Sequence, residues 1–368
     1  MSDLLFISTN TYNGLPTRKQ KFANYLKETG FRVLFVEPPY TYLALLKKNG
    51  IKQLSSKTTL DKIDNNFFLL HSFPWFPFFK KNRICNEIDN KIFLNHLKKA
   101  FKEIDFKPEI IWNYMPFLPS ILQEIKSKKV YDCVDDHSAY PGLINQAFVN
   151  ELERKTAKLS DLIITTNNEL KEKITKYGKD AVVISNGVDW NFFSSNLFNV
   201  TINIKKRIIY IGAISEWFDK ELVEFVAIEF PDYEITLIGP CSIKIDSLKN
   251  HKNIKLLGVI KQEIFAPILA ESAIAIIPFK INKLTENVDP LKTYEYLAAG
   301  VPVVSTKIGR VKDLPVFIGN NKEDFASKIK QAIQSDSLEK RVERSMEVKN
   351  FSWERKYDTI KKLLENLL

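Results

Sequence analysis

The sequence predicts an α/β fold made of two doubly wound, Rossmann-like domains that face a cleft. Three observations support this prediction: the length of 368 residues, an alternation of apolar strands with amphipathic helices that occurs twice, and Gly or Pro residues after many strands. A single hydrophobic core rarely extends beyond about 250–300 residues, so two domains are expected. Strand–helix alternation is typical of parallel sheets covered by helices on both faces.

The first series begins with an apolar strand at Leu4–Thr9, a helix near Arg18–Thr29 and a strand at Phe31–Val36. Period-2 and continuous apolar patterns predict the later strands of this series at 109–112, 129–133, 162–165 and 181–185. The last of them leads into the turn Asn186–Asp189. We therefore expect an N-terminal domain over residues 1–190.

The second series follows a polar stretch at 194–206. Its strands are predicted at 207–211, 234–238, 254–257, 273–277 and 301–305, and a helix over Leu291–Ala299 ends at Gly300, which is a typical C-cap residue. A C-terminal domain is expected over 191–350. Residues 351–368 form an amphipathic helix that crosses back to the N-terminal domain or, alternatively, packs only on its own domain.

The cysteines and the apolar stretches of the sequence indicate the cellular compartment and argue against disulfide and Cys-rich metal sites. The three cysteines Cys85, Cys133 and Cys241 have no CxxC spacing, so neither a disulfide framework nor a Cys-rich zinc site is expected. The N-terminus lacks the basic region and cleavage site of a signal peptide, and no stretch reaches the about 20 apolar residues of a transmembrane helix. We expect a cytoplasmic protein.

The net charge of +10 lies in the first third of the chain, where residues 1–130 hold 21 Lys and Arg against 11 Asp and Glu. Such asymmetry indicates a polyanionic partner, for example an anionic membrane or a phosphorylated substrate, or else a solvated basic surface. No nucleic-acid-binding motif is present, so no nucleic-acid partner is expected.

The most informative segment runs from Asp289 to Val304 and reads DPLKTYEYLAAGVPVV. Pro290 suits the start of a helix, whose first turn offers unpaired N–H groups and a positive dipole end to a diphosphate. Lys292 would add a full charge, and Glu295 lies three residues further on the same helix face, where it can accept two ribose hydroxyls. The alternative is a surface Lys–Glu pair worth about 0.3–0.5 kcal/mol.

This run resembles the donor-binding motif of GT-B glycosyltransferases of the family-4 kind. Five further segments are similar to that family and occur in its order: 186–189, 210–219, 238–240, 275–280 and 351–353. The N-terminal half is more loosely similar to transferases of teichuronic-acid and exopolysaccharide assembly, and distantly to the xanthan glucuronosyltransferase. The resemblance implies a nucleotide-sugar donor, with UDP favoured, and donor-site residues Gly212, Ser215, Pro278, Lys280, Asp289, Leu291, Lys292, Tyr294 and Glu295.

The sequence departs from the family at one position. The family-4 pattern carries a second glutamate where this chain has Asn287. Lys292 is instead similar to the lysine that meets the diphosphate in xanthan-type enzymes, which favours inversion at the transferred sugar. No metal ion and no further cofactor are expected, because a helix dipole and a lysine can neutralise the diphosphate.

The acceptor side is predicted at the end of the strand 129–133. An inverting transferase needs a general base, and Asp135 is the first candidate, followed by Asp136 and His137. The alternative roles are a turn cap and a loop histidine, and a metal site at Asp-Asp-His is a third interpretation. The loop after the first strand adds Asn13, Gly14 and Arg18, which we expect near an acceptor phosphate or acidic sugar.

The segment 73–83 interleaves aromatic residues with prolines and ends in cations. This pattern predicts contact with an anionic membrane surface and hence a peripheral protein with a lipid-linked or glycan acceptor. The predicted contact residues are Trp75, Phe76, Phe78, Lys80 and Lys81. The alternative interpretation is that the aromatic residues belong to the core.

Two other functions remain open at this point. One is a nucleotide-sugar 2-epimerase, which would need no acceptor site or membrane surface. The other is a non-enzymatic binder of nucleic acid or membrane, which would leave the donor-like segment unexplained. The oligomeric state has no signal in the sequence.

Overall fold

The computed structural model describes residues 2–13, 17–42, 59–140, 142–199 and 203–368, with backbone alone at 198–199. The chain forms two compact units, one comprising Met1–Ile184 with Tyr357–Leu368 and the other Ser185–Lys356. Each unit has its own sheet and its own hydrophobic core.

Among the described residues, the first unit has an eight-stranded sheet in the order β3-β4-β2-β1-β5-β6-β7-β8. Neighbouring strands are parallel except β3, which pairs antiparallel with β4. The strands are β1 Asp3–Ile7, β2 Arg32–Val36, β3 Thr59–Lys62, β4 Phe67–His71, β5 Pro108–Asn113, β6 Lys128–Cys133, β7 Leu162–Thr165 and β8 Val182–Val183. The helices are α1 Arg18–Glu28, α2 Arg83–Glu103, α3 Pro119–Glu124, α4 Gln146–Leu159 and α5 Asn168–Thr175.

The second unit has a parallel sheet of six strands within the described part of the chain, in the order β11-β10-β9-β12-β13-β14. The strands are β9 Lys205–Ile211, β10 Glu234–Ile238, β11 Ile254–Gly258, β12 Ser272–Ile277, β13 Val303–Thr306 and β14 Phe317–Gly319. The helices are α6 Trp190–Asn199, α7 Lys220–Glu229, α8 Gln262–Ala270, α9 Leu291–Ala298, α10 Lys322–Gln334, α11 Leu338–Glu347 and α12 Trp353–Glu365.

Both sheets contain the doubly wound strand order, which reverses between β1 and β5 in the first unit and between β9 and β12 in the second. The central strands β1 and β12 are buried along their whole length and mostly apolar, as is typical of sheets with helices on both faces. Ligands of such sheets bind beyond the carboxyl ends of the strands at the reversal point. The loops after β1, β5, β9 and β12 are therefore where a site is expected.

The last helix, α12, begins in the second unit and its residues from Tyr357 belong to the first. Within the first unit, Tyr357 stacks on Tyr25 of α1 with ring centroids 4.1 Å apart. Its ring also meets Phe22 edge-on. The domain boundaries 1–190, 191–350 and 351–368 stay a prediction.

Candidate functional site

The first turn of α9 lies beside the end of β9 in the second unit. Helix α9 begins at Leu291 after Pro290, whose carbonyl accepts the N–H of Thr293. The tyrosine hydroxyl of Tyr296 fixes the helix to the strand, since it accepts the N–H of Ile211 at 2.6 Å and donates to the carbonyl of the same residue at 3.0 Å. The helix therefore presents its positive N-terminal end at a fixed place beyond the sheet.

Lys292 is the cation of this turn. Its amine lies 5.1 Å from the ring centroid of Phe279 and 5.7 Å from that of Tyr210. Burial lowers the pKa of Lys292 to about 8, although the carboxylate of Glu295 acts in the opposite direction. A half-buried lysine beside aromatic faces gains from an anion, because the anion restores part of the stabilisation that water would have given.

Gly212 makes room for this lysine, and Gly239 makes room for the backbone of Gly212. A Cβ atom on Gly212, directly after β9, would lie 2.4 Å from Cε of Lys292. A Cβ atom on Gly239, after β10, would lie 2.1 Å from the carbonyl oxygen of Gly212, and Gly239 has φ +138°. Only glycine fits at both positions, so the backbone of these two loops can approach a ligand closely.

The other predicted donor residues have different surroundings. Glu295 is half-buried on α9, one turn beyond Lys292. Ser215 shares a hydrogen bond with Ser242, the carbonyl of buried Pro278 accepts the N–H of Asp219, and Lys280 is exposed. Leu291 is partly buried and contributes the first backbone N–H of the helix.

Asp289 and Tyr294 hold together the loop before α9. Their side chains bond each other and the backbone, so the prediction that they bind the donor is wrong. One carboxylate oxygen of Asp289 accepts the backbone N–H of Asn186, and the other accepts the hydroxyl of Tyr294, both at 2.7 Å. Asp289 is 5% exposed and Tyr294 is fully buried. A carboxylate that is buried and bonded on both oxygens positions the start of the helix.

Sequence reasoning missed three residues of this site. Tyr210 and Phe279 supply the ring faces next to Lys292, and the hydroxyl of Thr293 is buried without a hydrogen-bond partner in the described structure. Aromatic residues at strand ends are indistinguishable from core residues in a sequence. The unpaired hydroxyl of Thr293 lies one residue after Lys292.

The first unit holds Arg18 in a role that differs from the predicted one. Arg18 is 3% exposed and its guanidinium forms two hydrogen bonds of 3.0 Å with the carboxylate of Asp132, on β6. A third bond of 2.8 Å goes to the carbonyl of Ile184. The expectation that Arg18 meets an acceptor phosphate is therefore wrong: it is a buried structural ion pair that ties α1 to the sheet. Asn13 is exposed in the preceding turn, and Gly14 lies outside the described residues.

Asp136, after β6, is also engaged in structure. It accepts hydrogen bonds from Lys173 at 2.7 Å and from the hydroxyl of Ser138 at 2.7 Å, and Lys173 bonds Glu153 at 2.6 Å. Burial alone would raise the pKa of Asp136, but the bonds from Lys173 and Ser138 outweigh it and hold the pKa below its usual value. Asp136 is therefore a weak base, and its prediction as a second candidate loses its physical support.

Asp135 and His137 line a cavity of about 260 Å³ in the first unit. Asp135 is partly exposed and accepts a hydrogen bond of 3.1 Å from the hydroxyl of Tyr140. His137 is buried, and burial, reinforced by nearby lysines, lowers its pKa to about 3, so its imidazole is neutral. The cavity lies beyond the carboxyl ends of β1, β5 and β6, with Thr9, Asn10 and Met115 in its wall.

The aromatic–basic segment 73–83 contributes some side chains to the core and others to the surface. Trp75 is fully buried and packs edge-on against Phe79 at 5.0 Å between ring centroids, so its prediction as a membrane contact is wrong. Lys80 is likewise misassigned, because its amine lies 4.8 Å from the ring centroid of Phe117 and its side chain lines the cavity. Phe76 and Phe78 are 39% and 45% exposed, and Lys81 is exposed.

The described residues contain no group of three or more His, Cys, Asp or Glu side chains arranged to hold a metal ion. None of their helices is long and apolar enough to cross a membrane.

Comparisons with known proteins give a family match within the second unit and solved structures that are similar over the whole chain. Residues 205–335 match the family described as glycosyl transferases group 1. A teichuronic acid biosynthesis glycosyltransferase of Bacillus subtilis, TuaH, is 26% identical over 221 residues, which are 54% of this chain and 55% of that protein. The aligned part thus spans about half of the relative's length.

Solved structures match along the whole chain. Sucrose-phosphate synthase from Thermosynechococcus elongatus has a TM-score of 0.74 at 12% identity, covering 100% of this chain and 99% of its own. The Anabaena protein HepE, solved in complex with UDP and glucose, has a TM-score of 0.67 at 14% identity and full coverage of both chains. Both are similar in fold, and they confirm the predicted fold class.

The match of residues 205–335 covers the strand β9 with Gly212, the strand β12 and the whole of α9 with Lys292. The family resemblance drawn from the sequence is thereby confirmed. This chain has the GT-B fold, and its residues 205–335 match the glycosyl transferases group 1 family.

Proposed function

We propose that the chain transfers a sugar from a nucleotide-diphosphate sugar, with UDP as the favoured nucleotide, to a glycan or a lipid-linked acceptor. The observation that carries the proposal is the amine of Lys292 at the N-terminal turn of α9, half-buried beside two glycine loops. The HepE complex with UDP and glucose supports UDP as the nucleotide. The teichuronic-acid relative supports a role in cell-surface polysaccharide synthesis.

In this proposal the diphosphate is neutralised by the chain's own groups. The first N–H groups of α9 have no intrahelical acceptor and would donate to the phosphate oxygens. Lys292 would add the charge that stabilises the departing nucleotide diphosphate, so no divalent ion is required. Glu295, which the family resemblance assigns to the ribose, would accept the ribose hydroxyls from the next turn of the helix.

The acceptor would be activated in the first unit. Asp135 would take the proton of the acceptor hydroxyl while the hydroxyl oxygen attacks the anomeric carbon of the donor sugar. The bond from that carbon to the diphosphate oxygen breaks with its electron pair leaving on the diphosphate. Direct attack of this kind inverts the anomeric configuration, and a positioned base contributes about 10²–10⁴-fold.

A thermal-shift panel with UDP, GDP and dTDP tests this function. A bound nucleotide stabilises the folded chain by RT ln(1 + [L]/Kd), which is about 2.7 kcal/mol at a hundredfold excess over Kd. We expect UDP to produce the largest shift and UDP-sugars to release UDP in the presence of an acceptor. Absence of a shift with every nucleotide would contradict the proposal, and formation of the 2-epimer of the sugar without transfer would support the epimerase alternative.

We further propose that the chain works at the cytoplasmic face of an anionic membrane. Phe76, Phe78, Ile84 and Ile88 are each exposed, and all belong to the turn before α2 or to its first two turns. Lys81 lies among them and is exposed. Apolar side chains with adjacent cations suit the boundary between headgroups and acyl chains.

Flotation with liposomes tests this second proposal. The variant Phe78→Ser with Ile84→Ser should bind vesicles containing anionic lipid several-fold more weakly than the wild type. The matched control is Ile228→Ser, an exposed apolar residue of the second unit. Equal flotation of all three proteins would overturn the membrane proposal without affecting the donor site.

A further inference from the structure

The cavity of the first unit contains two lysines that the proposed chemistry does not use. Lys19, on α1, is 8% exposed, and Lys80 is partly buried. Both side chains line the cavity together with Asp135 and His137. The two cations therefore share one small space, with one carboxylate.

Neither lysine amine has a hydrogen bond or an ion pair with any residue that the structure describes. Their nearest described neighbours are aromatic faces. The Lys19 amine lies 5.4 Å from the ring centroid of Tyr114, and the Lys80 amine lies 4.8 Å from that of Phe117. Buried cations are usually paired, because removing an ammonium group from water costs several kcal/mol.

The lowered pKa values of both lysines have the same cause. Burial lowers the pKa of Lys19, and the carboxylates of Asp135 and Asp132 compensate only in part. Burial likewise lowers the pKa of Lys80. An anion in the cavity would remove this cost, whereas a neutral ligand would leave it.

His137 gives an independent indication of a ligand. Its Nε2 atom is buried and has no hydrogen-bond partner in the described structure, and the residue is 5% exposed. Its ring lies between those of Phe117 and Tyr140, at centroid distances of 5.5 Å and 5.8 Å. A buried imidazole nitrogen without a partner in a cavity wall is suited to a polar group of a ligand.

The size of the cavity limits what can enter. At about 260 Å³ it is slightly smaller than the about 300–1,000 Å³ of typical small-molecule pockets. It can hold a single sugar residue or a phosphate group. The aromatic wall formed by Trp75, Phe79 and Phe117 suits the apolar face of a sugar ring.

We propose that this cavity binds an oxyanion of the acceptor, with Lys19 and Lys80 as its counter-ions and His137 as a hydrogen-bond partner. The oxyanion is the carboxylate of an acidic sugar or a phosphate of a lipid-linked sugar. This assignment rests on the proposed transferase function and adds the chemical class of the acceptor. The anion would bring the neighbouring hydroxyl of the acceptor to Asp135.

Saturation-transfer NMR titrations of the full chain, with UDP at saturation to occupy the donor site, test the assignment. The probes are D-glucuronate, D-glucose and geranyl diphosphate. We expect one of the two anions to bind more tightly than D-glucose: tighter glucuronate identifies an acidic sugar, and tighter geranyl diphosphate identifies a lipid phosphate. Binding should weaken at least about tenfold in Lys80→Met and in Lys19→Met, as expected for a lost bond to a charged group.

The control variant is Lys91→Met, an exposed lysine of the same unit, which should bind like the wild type. If Lys19→Met does not fold, Lys80→Met, which is less buried, decides the result. Equal affinity for anions and D-glucose, or unchanged anion affinity in Lys80→Met, would overturn the assignment. The UDP-induced shift of the wild-type melting temperature, measured in parallel, tests the transferase function separately.

Discussion

Both candidate regions combine fully bonded charged groups with lysines that have no ion pair among the described residues. At the start of α9, the buried carboxylate of Asp289 is bonded on both oxygens, whereas the amine of Lys292 has no hydrogen bond or ion pair among the described residues and lies near two aromatic rings. In the first unit, Arg18 and Asp136 are fully engaged in ion pairs, while Lys19 and Lys80 are not. Charge type alone therefore does not separate a structural residue from a candidate ligand-binding residue, whereas a buried charge without an ion pair makes a residue a candidate.

The largest effect is expected for substitution of Asp135, which should lower the turnover rate without changing the stability of the fold. Asp135→Asn should lower kcat by about 10²–10⁴-fold because the general base is lost. UDP binding and the melting temperature should stay at wild-type values, since the only described hydrogen bond of this carboxylate comes from Tyr140. Steady-state kinetics and a UDP thermal shift check both parts. A variant with full activity would remove Asp135 from the mechanism.

A large loss of stability is expected at Asp132. Asp132→Asn leaves the guanidinium of Arg18 buried without its counter-ion, and breaking a buried pair in this way costs about 3–5 kcal/mol. Urea denaturation followed by tryptophan fluorescence measures the change in the free energy of unfolding. An unchanged midpoint would show that the pair contributes little, and Arg18 would again be available for a ligand.

Substitution of Asp136 should reduce stability, as at Asp132 but by a smaller amount. Unlike substitution of Asp135, it should leave turnover largely unchanged. Asp136→Asn removes one of the two partners of Lys173 and leaves Glu153 as the other. We expect a loss of about 1–3 kcal/mol in the free energy of unfolding. Activity measured well below the melting temperature should change less than threefold. A loss of kcat comparable with that of Asp135→Asn would move the base to Asp136.

The smallest effect concerns pH. The pKa of Lys292 is lowered to about 8, and only the protonated amine attracts a diphosphate. Raising the pH from about 7 to about 9 therefore takes the free protein through that pKa, and the Kd for UDP-glucose should rise about tenfold. Titration calorimetry at the two pH values measures this. The rise should be absent in Lys292→Ala, and a rise that persists there would have another origin.

The sequence predicted the repeated βα architecture well because the central strands are continuous apolar runs. It missed β3, whose residues Thr59–Lys62 are mostly exposed and show no apolar pattern, and β14, which has only three residues. It also missed β4, because Phe67–His71 leads directly into the aromatic segment and resembles part of it. Short or exposed strands are defined by their neighbours in the sheet, which a local pattern does not contain.

Local patterns give candidate site residues, but they do not give the long-range partners of these residues. Lys292 and Glu295 could be paired as candidates because helix geometry relates residues three positions apart, and their roles stay a prediction. The pairing of Arg18 with Asp132 joins residues 114 positions apart, and no local pattern encodes it. The burial of Trp75 likewise depends on Phe79 and Phe93, and Phe93 lies on α2. Long-range packing thus decides which charged and aromatic residues remain available to a ligand.

The most direct test of the central claim is the affinity for UDP, measured by titration calorimetry on the wild type, on Lys292→Ala and on Lys252→Ala. Lys252 is an exposed lysine of the second unit and serves as the control for the loss of one charge. The account predicts that the wild type and Lys252→Ala bind UDP equally, and that Lys292→Ala binds it at least about tenfold more weakly, as for the loss of a charged hydrogen-bond donor. Equal UDP affinity in all three proteins, or no UDP binding by the wild type, would contradict it.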